Sequence, residues 1–332
     1  MTESTITSTG VIGLGAMGLQ MARHMAAKGF AVCGTDIDPE AMRRAAAHGV
    51  RLCGSAAEVG DGAQIVVVMV ATDAQVEAVV RASGLIDRLR PGAVICIASS
   101  IAPQTCRDLA AVAAMRDIGV IDTPVVLGQN AANNGELTIY AGGETRFVER
   151  AAPALSAFGR KIIHVGAIGS GQIAKTMNNM LLWASMCANF EVLTLAKSLG
   201  ADVPKLIEAL GHGSGANWSL SRWGTGTGKW AEKDMDVALD IAQHAKVPMP
   251  LAGLVDQLAK SINQDRMKAL LTCGGKWSGG GHGVGRNKRS ALRRSNGLTV
   301  KKRHPPCTKT WRQCGMAATI GWQPIAPARP GR

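Results

Sequence analysis

Three side chains in the stretch GSGQIAKTMNNM, residues 169–180, could carry chemistry in an otherwise apolar run: Lys175, Asn178 and Asn179. Residues four apart on a helix share one face, so Lys175 and Asn179 project together. A lysine withdrawn from water holds its proton less tightly, which makes Lys175 a candidate proton donor and acceptor. In its charged form it would also stabilise a developing alkoxide. Asn179, one turn on, offers a carboxamide that can orient a bound alcohol or carbonyl compound. On spacing alone, a lysine snorkelling from a helix beside two locally bonded asparagines explains the stretch better. The chemical reading needs support from elsewhere in the chain.

That support begins at Val11-Ile12-Gly13-Leu14-Gly15-Ala16-Met17-Gly18, a GxGxxG loop between an apolar stretch and a helical pattern. Gly13 permits the tight turn, Gly15 lets the backbone approach a pyrophosphate, and Gly18 lets helix and strand pack closely. The helix that follows presents N–H groups and a partial positive charge to phosphates. Asp36 stands 21 residues beyond Gly15, where a carboxylate can bond ribose hydroxyls. The candidate cofactor residues are therefore Gly13, Leu14, Gly15, Ala16, Met17, Gly18 and Asp36. Ile37, not a cation, follows Asp36, so NAD is the expected cofactor; Arg43 and Arg44 keep NADP as the alternative.

The elements that must position these residues change character along the chain. Over 10–163, short apolar runs alternate with amphipathic helices: TGVIGLG, AVCGTD (31–36), IVVVMV (65–70), AVICIAS (93–99), GVIDTPVV (119–126) and LTIYAGG (137–143) read as strands. Helices fit 17–28 and 39–48, and Gly29 ends the first. Strands alternating with helices predict a doubly wound, mainly parallel α/β sheet, a Rossmann-type domain. From Gly171 the texture is helical only: 172–199, 203–210, 231–245 and 250–271. The expected organisation is a dinucleotide-binding domain over 1–165 and an all-helical domain over 166–271, joined by the long helix. An atypical basic tail covers 272–332.

Four blocks in order resemble the β-hydroxyacid dehydrogenase family, whose members include 3-hydroxyisobutyrate dehydrogenase, tartronate semialdehyde reductase and relatives of 6-phosphogluconate dehydrogenase. GLGAMGLQMARHMAAKG (13–29) is similar to its cofactor motif. DTPVVLGQNAANNGEL (122–137) resembles the substrate motif DAPVSGGxxGAxxGTL. GSGQIAKTMNN (169–179) matches GxGxxxKxxNN at every fixed position, and KDMDVALDIA (233–242) resembles KDLxLAxxxA. The resemblance covers roughly 10–271. It implies an active site in the interdomain cleft, Lys175 as general acid/base, and a homodimer or homotetramer packed through the helical domains. It also implies that Asn179 binds substrate, that Met69 and Val70 contact the cofactor, and that Lys233 approaches the nicotinamide end. Ser99, in IASSIAP, would lie near nicotinamide and substrate alike, although a helix N-cap explains it as well.

The chain departs from the family at Val126-Leu127-Gly128, where the motif has Ser-Gly-Gly to receive the substrate carboxylate. The hydroxyl is lost and two positions gain bulk, so a drier, narrower pocket is expected. A more apolar acid than glycerate fits it better, with Asn130, Asn133 and Asn134 as replacement polar contacts. Part of the Trp218–Trp230 run could wall the pocket. His24 and His164 read as structural. The expected activity is hydride transfer between nicotinamide C4 and a 3-hydroxyacid or its semialdehyde. Alternatives are a reductase of imines or larger carbonyl compounds, and a dinucleotide-binding or tail-mediated nucleic-acid-binding protein without turnover.

Charge and cysteine usage narrow the partners. The net charge is +13, yet 13 of the 37 Lys+Arg and none of the 24 Asp+Glu lie in 272–332, leaving 1–271 with 24 of each. The excess is thus confined to the tail, and nucleic acid is not expected as a partner. The tail reads as a disordered basic segment, an ordered extension, or out-of-frame translation. The 8 cysteines lack CxxC or His/Cys ligand spacing, so neither a disulfide framework nor a metal site is expected. No apolar run approaches a span of roughly 18 residues, and the start lacks a signal-peptide pattern; a cytoplasmic protein is expected.

Overall fold

The computed structural model describes residues 5–225, 228 and 230–272. The expectations attached to the tail lie outside the described residues, Thr272 excepted. The glycine loop connects β1 (Ser8–Ile12) to α1 (Ala16–Ala27). The chain continues through β2 (Ala31–Thr35), α2 (Pro39–Ala46), β3 (Arg51–Leu52), α3 (Ala56–Val59), β4 (Ile65–Val68) and α4 (Asp73–Glu77). A π-helical turn (Ala78–Ala82), α5 (Leu85–Arg88), β5 (Val94–Ile97), α6 (Pro103–Ala114) and β6 (Gly119–Asp122) follow. These strands pair in parallel in the order β3-β2-β1-β4-β5-β6. The order reverses between β1 and β4, and the crevice at such a switch point is where a doubly wound sheet receives its ligand.

The uninterrupted apolar runs are explained by burial on both faces. Ile65 and Val67 of β4 belong to one core cluster with Met21 and Met25, while Val66 and Val68 face a second with Ile95 and Leu109. Successive strand residues point to opposite faces, so a strand covered by helices on both sides has no polar side to offer. Fully burying each such side chain stabilises the fold by roughly 1.5–3 kcal/mol.

Beyond β6 the sheet stops being parallel. The predicted strand over 119–126 is two strands, β6 and β7 (Val125–Val126), because Pro124 has no N–H to donate to a ladder. After α7 (Gly128–Asn134), β8 (Leu137–Gly142) runs antiparallel to both, in one continuous register: Asp122 opposite Gly142, Val125 opposite Ile139 and Val126 opposite Thr138. After α8 (Thr145–Leu155), β9 (Gly159–Gly166) pairs in parallel with β8. This strand was not expected from the sequence; most of it is exposed, so it carries no core-facing alternation.

The rest of the described chain is helical. α9 (Ser170–Ser198) contains 29 residues, about 43 Å at 1.5 Å per residue. It packs against β8 and β9 near its start and then against α11 (Trp218–Ser221), α12 (Ala231–Ala245), α13 (Pro250–Ala259) and α14 (Gln264–Leu271); α10 (Val203–Leu210) also touches it. A third core cluster, including Trp183, Phe190, Leu193, Trp223 and Met235, holds this region together. The predicted helix over 250–271 is broken in two. Asn263 starts α14 by accepting the Arg266 N–H at 3.0 Å, which ends any continuation from α13. No described helix is long and apolar enough to cross a membrane.

Candidate active site

The start of α9 is fixed by one buried carboxylate. Asp122, at the end of β6, accepts the Gly169 N–H through Oδ1 and the Gln172 N–H through Oδ2, both at 2.7 Å. These are helix-end donors with no intrahelical acceptor, and a carboxylate suits their partial positive charge. The fit is close: a Cβ on Gly171 would stand 2.5 Å from Tyr140 O and 2.7 Å from Asp122 Oδ2. Gln172 adds a second tie, donating to Ser99 O at 2.7 Å and accepting the Ile101 N–H at 3.2 Å. The substrate-motif strand and the lysine-bearing helix are therefore registered to each other before any ligand arrives.

Carried forward by that register, Lys175, Asn178 and Asn179 line a cleft of about 530 Å³ with Val126, Leu127 and Gly128. The structure brings together the residues that the sequence placed apart in two motifs. Leu127 has φ +83°, a left-handed conformation that is a genuine outlier for a bulky side chain. Thr138 and Tyr140 of β8, and Leu181, Trp183, Trp218 and Trp230, complete much of the wall. Trp223 instead sits in the helical core, 6.4 Å from Phe190 between ring centroids. None of Asn130, Asn133 and Asn134 lines the cleft, so they do not replace the hydroxyl missing at residue 126.

Asp234 is the residue the sequence placed least well. It opens α12 next to Lys233, which suggests a solvated charge pair, yet it lines the cleft opposite Lys175. Its Oδ2 accepts the Trp183 indole N–H at 3.0 Å, and Asn179 also bonds to it. Burial pushes the Asp234 carboxyl above the usual carboxylate range, opposed by Trp183, Lys175 and Asn179. Burial lowers the Lys175 pKa from its ordinary value, with the Asp234 charge pulling the other way. The available signal was the four-residue spacing of Lys175, Asn179 and Trp183 along one helix face.

A second groove, about 630 Å³, runs along the strand ends and is lined by Gly13, Gly15, Asp36, Met69 and Val70, among others. Its glycines fit a dinucleotide. A Cβ on Gly13 would stand 2.2 Å from Met69 O, and one on Gly18 would stand 1.9 Å from Gly13 O, so neither position admits a side chain. Gly15 has nothing within 4 Å of its would-be Cβ, leaving bare backbone open to a phosphate. Asp36 accepts the Leu14 N–H at 2.6 Å and the Asp38 N–H at 2.9 Å. Its carboxylate retains further acceptor capacity for a diol. Arg43 is bonded to Glu40, and Arg44 lies 3.8 Å from Asp38 and 3.7 Å from Glu40; both cations are engaged on α2.

Other expected site residues stand back from the two cavities. Ser99 is 1% exposed, accepts the Val70 N–H at 2.8 Å and lies 3.4 Å from Val68 O, so it holds the groove wall in place. The Leu14 side chain is in the core, and Met17 packs against it. Ala16 starts α1, its carbonyl accepting from Gln129 at 3.0 Å. Lys233 donates to Ala71 O at 2.7 Å, tying α12 to the groove rim. His24 bonds the carbonyls of Ala132 and Asn133, and His164 those of Gly143 and Gly166, which are structural roles.

Comparison with known proteins agrees with this arrangement. The family profile described as the NAD binding domain of 6-phosphogluconate dehydrogenase matches residues 8–166. The one described as NAD-binding of NADP-dependent 3-hydroxyisobutyrate dehydrogenase matches 169–270. The chain is 32% identical over 271 residues to 3-hydroxyisobutyrate dehydrogenase of Pseudomonas aeruginosa, covering 76% of this chain and 91% of that protein. It is 31% identical over 269 residues to the NAD-dependent L-serine dehydrogenase of the same organism, covering 76% and 90%. The solved structure of Mycobacterium tuberculosis 3-hydroxyisobutyrate dehydrogenase with L-serine has a TM-score of 0.73 at 27% identity, covering 80% of this chain and 98% of that one. The chain belongs to the β-hydroxyacid dehydrogenase family. It is an NAD(P)-dependent oxidoreductase of the type that acts on hydroxyl groups.

Proposed function

We propose that the enzyme interconverts a 3-hydroxyacid bearing an apolar substituent and its semialdehyde, with Lys175 as general acid/base. The observation that carries this reading is the desolvated Lys175 amine in a cleft shared with Asn179 and Asp234. When bound, NAD accepts the hydride in oxidation and returns it in reduction. In oxidation the Lys175 amine takes the hydroxyl proton; in reduction its ammonium donates a proton to the nascent alkoxide. Asn179 orients the reacting oxygen, and its contact with Asp234 fixes the carboxamide. Val126, Leu127, Leu181 and Trp218 receive the apolar substituent and exclude water.

In the groove, Gly13, Leu14, Gly15, Ala16, Met17 and Gly18 form the turn that brings backbone N–H groups to the pyrophosphate, and Asp36 takes the ribose hydroxyls. Met69 and Val70 flank the cofactor, Ser99 holds Val70, and Lys233 secures the rim near the nicotinamide. Asp36 would repel a 2′-phosphate, and Arg43 and Arg44 are occupied by acids, so NAD is favoured over NADP. The division near residues 165–166 then separates a cofactor-binding part from a helical part, with the substrate between them. Exposed Val192 and Leu195 on α9 and Leu199 at its C-cap, with Leu251 and Leu254 on α13, are the surface through which a homodimer or homotetramer would pack; a monomer in light scattering refutes that. The five described cysteines are free thiols, in keeping with a reducing cytoplasm; cell fractionation tests this.

Replacing Lys175 by alanine tests the central step. General acid–base catalysis contributes about 10²–10⁴-fold, so kcat is expected to fall by about that factor while calorimetry still detects NAD binding. Retained turnover removes Lys175 from the mechanism.

A further inference from the structure

We propose that the acidic group of the substrate is held by Thr138 and Tyr140 of β8, in place of the hydroxyl that residue 126 lacks. This rests on the hydroxyacid reading above. Val126 and Thr138 are direct register partners across β7 and β8. Opposed residues in an antiparallel pair have Cβ atoms about 4.5–5.5 Å apart. A hydroxyl missing from the loop strand is therefore available one strand over, at nearly the same place. Thr138 and Tyr140, two apart on β8, share a face, and both line the cleft with Lys175. Two residues along a strand span roughly 6.6 Å, enough to admit a carboxylate between the two hydroxyls.

Both hydroxyls are available to a ligand. That of Thr138 has no hydrogen-bond partner among the described residues. Tyr140, the single tyrosine of the chain, donates to Asn178 Oδ1 at 3.5 Å, a contact weak enough to yield to a carboxylate. Asn178 in turn donates to Asn179 Oδ1 at 3.1 Å, so a ligand on Tyr140 is felt beside Lys175. Among the described residues that line the cleft, Lys175 and Asp234 are the charged ones. No arginine is among these described residues, and the hydroxyls of Thr138 and Tyr140 offer neutral donors to an acid. The acid then anchors at β8 while its substituent lies against Leu127, Leu181 and Trp218.

The test uses an unreactive acid, isobutyrate, and its uncharged counterpart, isobutyramide. Each is titrated into the full-length protein saturated with NAD, read by fluorescence of Trp183, Trp218 and Trp230, which line the cleft. The wild type is expected to prefer the acid at least tenfold. Thr138→Val with Tyr140→Phe is expected to weaken isobutyrate binding by about 10- to 100-fold, with isobutyramide changed less than about threefold. Adding Val126→Ser to that double variant restores part of the loss, and Thr138→Ser alone binds like the wild type. Unchanged isobutyrate affinity in the double variant overturns the proposal, as does a wild type without preference for the acid. Turnover plays no part in this readout, so its failure is separable from survival of activity in Lys175→Ala.

Discussion

Replacing Asp234 by asparagine preserves shape and an acceptor for the Trp183 indole while removing a charge that acts on Lys175. Two unit charges roughly 4–6 Å apart in an effective dielectric near 20 interact by about 3–4 kcal/mol, which sets an upper scale for the effect of one carboxylate on a neighbouring ammonium. Burial raises the pKa of Asp234 itself, which weakens this effect without changing its direction. The sign follows from the direction of the interaction. The Asp234 charge raises the Lys175 pKa, so its removal lowers that pKa further. Oxidation needs the neutral amine and declines as pH falls through the Lys175 pKa; its acidic limb should move to lower pH in Asp234→Asn. Reduction needs the ammonium, so its alkaline limb should move down as well. The assay is the pH dependence of kcat/KM in both directions at saturating cofactor. A profile that stays in place, or moves upward in either direction, refutes the coupling of Asp234 to Lys175.

Two further outcomes follow from the contacts around the cleft and groove. Gly171→Ala forces a Cβ toward Tyr140 O and Asp122, an overpacking expected to cost about 1–3 kcal/mol; a thermal melt unchanged from wild type refutes the close fit. Asp36→Ala is expected to weaken NAD by about 10- to 100-fold, the scale of a lost charge-assisted bond, with NADP affected less. Calorimetry with both cofactors reads the ratio, and an intact NAD preference removes Asp36 from the ribose site.

What the chain makes legible is mostly local. The glycine loop and Asp36 are readable because tight turns and close approaches demand glycine within a few residues. The buried strands are readable because burial on two faces erases alternation, and α9 because no breaker interrupts it. The rest depends on contacts between distant segments. Asp122 looks like the opening of a substrate motif, yet its carboxylate is consumed by α9, 47 residues on. Asp234 looks solvated until α12 is folded against α9. β9 is hidden because an exposed edge strand lacks the pattern that marks the interior strands. Ser99 shows a contact that the motif does not announce: its hydroxyl bonds the backbone of Val68 and Val70 and holds the chain beside the groove.

Leu127 bears on how the substrate range could change over time. Its left-handed backbone costs roughly 1–2 kcal/mol relative to glycine, and the fold tolerates that cost to keep a side chain in the cleft wall. Replacement by glycine would therefore relax the backbone and widen the cleft in one step. Selectivity and stability oppose each other at this residue, so a drift toward broader substrate use would not meet a folding barrier there. The leucine persists only under continued demand for the substrate that meets it.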